Sequence, residues 1–305
     1  MNKNDTDSII VQVPATTANI GPGFDCLGAA LTLYNQFKFT LSDIETSITV
    51  TGKEADKVST DKTNLLYQSF WRLYQHLDKT PPPVAIEIDL GVPLARGLGS
   101  SATAIIGGLI GANELAGKPL TSEQLRELAI AIEGHPDNVV PALDGNCALS
   151  VATENGWQIT QINWHSQVTP VVAIPDFELS TEAARAVLPS QVSYSDAIFN
   201  ISHLGLLIRG LETGNPDWLT SALEDRLHQP YRKNLIQGYE AVKEAALAAG
   251  AYGMVISGAG PTLLALVEQS QAEAVGQAME QAWENQGVKV EVRSLSLDLK
   301  GAKVN

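Results

Sequence analysis

An α+β chain in two domains is the fold class this sequence predicts, and three observations carry it. A period-two run near residue 90 ends in a glycine-rich bend that opens a helical pattern. The second half reads strand, helix, strand, strand, helix, strand, the order of a ferredoxin-like split βαβ unit carrying extra helices. A chain of 305 residues with 44% apolar content can bury more than one core. The division is placed at His165-Ser166-Gln167, giving domains 1–165 and 166–305.

Taken in order, residues 9–13 alternate as a first strand, and 36–41 as a second with Phe37, Phe39 and Leu41 on one face. An amphipathic helix is expected over 64–77, stopped by Pro81-Pro82-Pro83. Val84, Ile86, Ile88 and Leu90 mark the next strand. The bend Pro93-Leu94-Ala95-Arg96-Gly97-Leu98-Gly99-Ser100-Ser101-Ala102 follows, and a helix then runs to about Ala116, closed by Gly117 and Pro119. Thr121-Ser122-Glu123-Gln124 reads as a capping box for a helix ending near Gly134, and His135-Pro136-Asp137-Asn138 opens a short one with proline in its first turn. Strands at 148–152 and 157–163 complete the first half. Beyond the boundary come a strand at 168–174, helices between 181 and 249, strands at 253–256 and 263–267, a helix at 272–284 and a strand at 288–295.

The bend is a phosphate-cradling arrangement. Gly97 and Gly99 permit positive φ and let a ligand approach with no Cβ in the way. The unpaired amides and positive dipole end of the following helix then favour a polyanion. It is neither the Walker loop nor the dinucleotide turn, because Ser100-Ser101 stand where those motifs carry other residues.

A net charge of −14 argues against nucleic acid or an anionic membrane as partner. There is no run of eighteen apolar residues and residues 1–7 are polar, so a cytoplasmic protein is expected. Cys26 and Cys147 are too few and too far apart for a disulfide framework, and the five histidines show no His-x-x-x-His spacing for a transition metal. By residue type alone, Glu127 is an ordinary surface carboxylate, Arg185 and Arg232 are ordinary helix charges, and Asn19 and Asp25 are ordinary turn residues.

Three segments together resemble the GHMP kinase superfamily: Pro14-Ala15-Thr16-Thr17-Ala18-Asn19-Ile20-Gly21-Pro22-Gly23-Phe24-Asp25, the 93–102 bend, and Ser257-Gly258-Ala259-Gly260-Pro261-Thr262. The resemblance runs from residue 9 to about 295. It implies an N-terminal ribosomal-protein-S5-like α/β domain that binds ATP and a C-terminal ferredoxin-like domain. The first motif is similar to that of the branch acting on L-homoserine, which implies ATP-dependent phosphorylation of an amino-acid hydroxyl in threonine biosynthesis. Another small-molecule kinase of the superfamily, mevalonate-type or sugar, and a non-catalytic sensor on the same fold are the alternatives.

Residue by residue, the resemblance places Asn19, Asp25, His135, Asn138, Thr181, Arg185 and Arg232 around the acceptor. Asp25 would face the ammonium, Arg185 and Arg232 the carboxylate, and Asn138 the reacting hydroxyl, with Asn138 and Arg185 at the reacting end. Two parallel N–H donors suit a carboxylate. Asn64 would lie near the nucleoside, the whole bend 93–102 with Gly258 and Gly260 around the phosphates, and Glu127 with Ser100 or Ser101 around Mg2+. The branch is implied to lack a general base, so the hydroxyl would lose its proton late; Asp137 is the nearest carboxylate, either a base or a helix cap. The role of Arg96 and the existence of a homodimer are open at this stage.

Overall fold

The computed structural model describes residues 8–305; residues 1–7, read above as lacking an apolar signal region, lie outside the described residues. Strand β1 (Ile9–Ala18) pairs antiparallel with the fifteen-residue β2 (Leu27–Leu41). Both outrun the predicted strands. Residues 14–18 and 27–31 are buried throughout, which erases the period-two signal that an exposed face would create. Pro14 sits at a register shift between the two strands, where its missing N–H costs no ladder bond.

Strand β3 (Ser47–Gly52) was not predicted, although Ile48 and Val50 alternate with polar residues. Helix α1 (Leu65–His76) leads to β4 (Val84–Leu90), which runs parallel to β3 and antiparallel to β2. Next come α2 (Ser100–Leu115), α3 (Ser122–Glu133) and α4 (Pro136–Asp144). The capping box at Thr121 and Gln124 is present, and Gly134 ends α3 at φ 90°. The hairpin of β5 (Cys147–Thr153) and β6 (Gly156–Ile162) pairs with the start of β2. Helix α2 is apolar nearly all round because it is buried between α1 and the sheet. Its Gly107 and Gly111, one turn apart, face the rings of Phe37 and Phe39, where a Cβ would lie 2.3 and 2.4 Å from ring carbons.

The second half follows the predicted order. Strand β7 (Val168–Pro175) precedes α5 (Thr181–Ala186), α6 (Tyr194–Thr213), α7 (Pro216–Ala222), α8 (Gln229–Arg232) and α9 (Tyr239–Ala248). Then come β8 (Gly253–Ile256), β9 (Leu263–Glu268), α10 (Ala272–Glu284) and β10 (Val290–Ser294). The sheet order β10-β7-β9-β8, antiparallel throughout, is ferredoxin-like. One face packs on α9 and α10 through Val242, Met279 and Trp283. The other joins Leu27, Leu31 and Leu98 of the first half in a shared apolar cluster with Val172, Leu264 and Leu207. The final short strand β11 (Lys303–Val304) pairs with β1, so this segment belongs to the first sheet rather than to the C-terminal unit drawn at 166–305. No described helix is long and apolar enough to cross a membrane.

Candidate active site

A cleft of about 490 Å³ opens where the two sheets meet, lined by both halves of the chain. One end is apolar, formed by Phe37, Leu66, Ile88 and Leu90 with Asn64 beside them. The other holds Asn19, His135, Asn138, Thr181, Arg185 and Arg232, and the glycine bend lies between.

The bend is left-handed at Ala95 (φ 51°), Gly97 (φ 74°) and Gly99 (φ 68°), and Gly99 caps α2 with no side-chain bond, leaving the helix's first amides available. The glycines answer to the protein as well as to a ligand. A Cβ on Gly97 would lie 2.2 Å from the Ser257 carbonyl, and one on Gly99 would lie 1.9 Å from Thr16 Oγ1. Leu94, Ala95, Gly97, Gly99, Ser100 and Ser101 line the cleft. Pro93, Leu98 and Ala102, expected there too, do not: Leu98 and Ala102 are wholly buried in the cores, and Pro93 lines a separate groove behind the bend. Leu98 and Ala102 turn into the cores and hold the bend, so only part of the ten-residue motif can face a ligand.

Arg96 reaches the cleft wall, but its guanidinium is occupied. Its Nε, Nη1 and Nη2 donate to the carbonyls of Pro175 (2.9 Å), Leu94 (2.8 Å) and Asp176 (2.7 Å), with Glu54 and Glu178 at 3.6 and 3.4 Å. It fastens the bend to the end of β7, and its two remaining N–H groups lie near the carboxylates of Glu54 and Glu178. Ser257 Oγ lies 2.7 Å from Gly97 O and 2.9 Å from Thr17 Oγ1, and Gly258 N donates to Ala18 O at 2.8 Å. These bonds hold the turn of Gly258 and Gly260 against the bend. Asn64 caps α1: its Oδ1 accepts from Leu66 N and Tyr67 N, and its Nδ2 donates to Ser59 O.

The carboxylate that lines the cleft at the bend is Glu133, not Glu127. Glu127 is exposed and does not line the cleft; its nearest marker is the β5–β6 turn, where a Cβ on Gly156 would lie 3.9 Å from its Oε1. Glu133, at the last position of α3, lines the cleft and accepts from Ser101 Oγ at 2.9 Å. Burial raises its pKa above the ordinary carboxylate value, opposed by the Ser101 bond. Among the described residues no three His, Cys, Asp or Glu cluster as a metal site. Ser101 and Glu133 place a hydroxyl and a carboxylate together at the bend.

At the polar end, Asn138 Oδ1 accepts from Thr16 Oγ1 at 2.7 Å. Asp137 is 1% exposed and lies behind the cleft wall; its Oδ1 accepts from His135 Nδ1 at 2.8 Å and from Asn138 Nδ2 at 3.4 Å. It therefore orients His135 and neither caps α4, which has no side-chain cap, nor faces the acceptor end. The Asp137 bond raises the pKa of His135. Asn19 and Asp25 both have positive φ, and Asn19 braces the motif: its Nδ2 donates to Gly258 O (3.0 Å) and its Oδ1 accepts from Asp25 N (2.7 Å). Asp25 does not line the cleft; its carboxylate takes Arg185 Nη1 and Nη2 in parallel at 3.0 and 2.8 Å. Arg232, 1% exposed, donates to Ala184 O and Gly258 O at 3.1 Å each, and burial together with Arg185 lowers its pKa. Thr181, at the first position of α5, completes this wall. Thr16, Glu133 and Asp137's link to His135 are what reading the sequence missed.

A split first sheet, a ferredoxin-like second sheet and a left-handed glycine bend at their junction define a GHMP kinase. The model for the GHMP kinases N terminal domain matches residues 64–146, and that for the GHMP kinases C terminal domain matches 207–285. The chain is 67% identical to the homoserine kinase of Crocosphaera subtropica, covering 98% of each, and 65% identical to that of Microchaete diplosiphon, covering 97% and 96%. A crystal structure of homoserine kinase from Cytophaga hutchinsonii superposes with a TM-score of 0.89 at 30% identity, covering 100% of this chain and 99% of that one. The chain belongs to the homoserine kinase family.

Proposed function

We propose that the chain transfers the terminal phosphoryl group of ATP to the side-chain hydroxyl of L-homoserine, giving O-phospho-L-homoserine. One observation carries this reading: a single cleft joins an open helix N-terminus, a half-buried carboxylate bonded to a serine, and two arginines beside an asparagine. Homoserine is a zwitterion with a terminal hydroxyl. Its carboxylate matches Arg185 and Arg232 and its hydroxyl Asn138, while Asp25, outside the cleft, holds Arg185 in place.

The apolar end suits the flat base of ATP, and the amides opening α2 suit its phosphates. Ser101 and Glu133 fit Mg2+, a hard cation that takes few protein oxygens and keeps water and phosphate ligands. Ser101 is preferred to Ser100 because its hydroxyl is the one on Glu133. Bound there, the ion would offset triphosphate charge and polarise the phosphoryl group. Phosphoryl transfer depends chiefly on positioning and charge neutralisation. Thr16 fixes Asn138, and Asp25 fixes Arg185, before substrate arrives.

ATP consumption with homoserine, mevalonate and galactose side by side tests the assignment. Homoserine is expected to exceed the others by about 100-fold or more in kcat/KM; comparable turnover of mevalonate or galactose would reassign the acceptor. Asp137→Asn separates a base from an orienting residue. Loss of the negative charge that strengthens the bond holding His135 is expected to raise the homoserine KM and lower Tm, with kcat falling less than about tenfold. A pure kcat loss of about 10²–10⁴ in a stably folded variant would instead make the Asp137–His135 pair the proton acceptor.

A further inference from the structure

His228 lies outside the cleft and is completely buried, at 0% exposure. A histidine is a costly residue for such a position. Among the described residues its Nδ1 has no hydrogen-bond partner, a desolvation cost that a leucine would not incur. Burial also depresses its pKa, so the ring is neutral. In return the ring makes one bond: Nε2–H donates to Gly21 O at 2.8 Å. Gly21 belongs to the bend between β1 and β2, flanked by Asn19 and Asp25.

The same ring backs the aromatic residue of that bend. Phe24 stacks on His228 with centroids 5.0 Å apart and planes at 22°. Phe24 in turn carries both guanidinium groups, Arg232 at 5.0 Å and Arg185 at 5.7 Å from its centroid. His228 immediately precedes α8, the helix that bears Arg232, and Asp225 fixes that junction. Asp225 Oδ2 accepts from His228 N (2.9 Å) and Gln229 N (2.7 Å), while Oδ1 accepts from Leu227 N (2.9 Å) and from Asn200 Nδ2 of α6 (2.7 Å). A continuous set of contacts thus runs from α6 through Asp225 and His228 to Gly21 and Phe24, and on to both arginines.

We propose that His228 is a positioning residue for the acceptor site: by tying Gly21 to the start of α8 and backing Phe24, it sets where Arg185 and Arg232 stand. The inference rests on the acceptor reading given above. It requires acceptor affinity to depend on His228 while nucleotide affinity and the chemical step do not, because Ser101 and Glu133 take no bond from this group.

Steady-state kinetics and melting curves of His228→Leu, His228→Gln and Phe24→Leu test it. His228→Leu is expected to raise the homoserine KM about tenfold, with kcat and the ATP KM within about twofold of wild type. His228→Gln, whose amide nitrogen can replace Nε2 as donor to Gly21, should restore most of that affinity, and Phe24→Leu should raise the homoserine KM about fivefold with His228 intact. Should His228→Leu fail to fold, the other two variants carry the same comparison. An unchanged homoserine KM, or parallel losses for homoserine and ATP that track the fall in Tm, overturns the proposal. A wild-type chain inactive on homoserine would sink the acceptor reading instead, and solvent exchange of the Arg232 Nε–H then decides positioning. That proton donates to Ala184 O; His228→Leu should speed its exchange about tenfold or more, and an unchanged rate overturns the proposal.

Discussion

Glu133→Gln is expected to lower kcat by about 100-fold or more at saturating ATP and homoserine, about 2.7 kcal/mol in the barrier. Glu127→Gln should remain within about twofold of wild type, since a surface substitution away from the site rarely matters. The amide of glutamine keeps the size of the side chain and still accepts from Ser101 Oγ, so the fold is preserved while the negative charge at the bend is lost. A neutral amide is also a poor partner for a hard cation. The pair of variants is decisive because both residues lie on α3. Near wild-type kcat for Glu133→Gln at any magnesium concentration, or a large loss for Glu127→Gln, would show that the carboxylate has been placed wrongly.

Arg232→Leu is expected to reduce kcat/KM for homoserine by about 10- to 150-fold, the loss of a charge-assisted pair worth about 1.5–3 kcal/mol. The ATP KM should change little. Arg232 is buried and, among the described residues, pairs with carbonyls and with no carboxylate, so its charge is available to a substrate anion. Leucine would also strand the carbonyls of Ala184 and Gly258, so a drop in Tm is expected alongside. A homoserine KM equal to wild type would remove Arg232 from the acceptor site. A matched rise in the ATP KM would mean that the variant had displaced the Gly258 turn and, with it, the bend that it braces.

Periodicity recovered the elements with one wet face and lost those without. Residues 36–41 and 84–90 alternate and were read as strands; 14–18 and 27–31 belong to the same sheet but are covered on both sides. Helix starts were legible because their chemistry is local, as at Thr121 and Pro136. Which carboxylate of α3 lines the cleft was legible in principle. Leu125, Ala129 and Ile130 define the inward face of α3, and Glu133, four residues after Ala129 and three after Ile130, continues it, whereas Glu127 falls on the outer side. Long-range bonds were not legible at all. Nothing in the sequence around Arg96 tells that its donors are consumed 79 and 80 residues away, or that Asp25 has Arg185 as its partner.

The return of β11 to β1 bears on the order in which the molecule assembles. Val11 and Val304 are paired across nearly the whole chain, and closing a flexible loop of that length costs about 5 kcal/mol in entropy, more than a two-residue strand can recover alone. The pairing becomes accessible only once β10 is in place and Leu297 has bridged to Leu31, when the remaining closure is short. In folding, that edge therefore reports on the docking of the two halves: it should be among the last backbone ladders to gain protection and among the first to open.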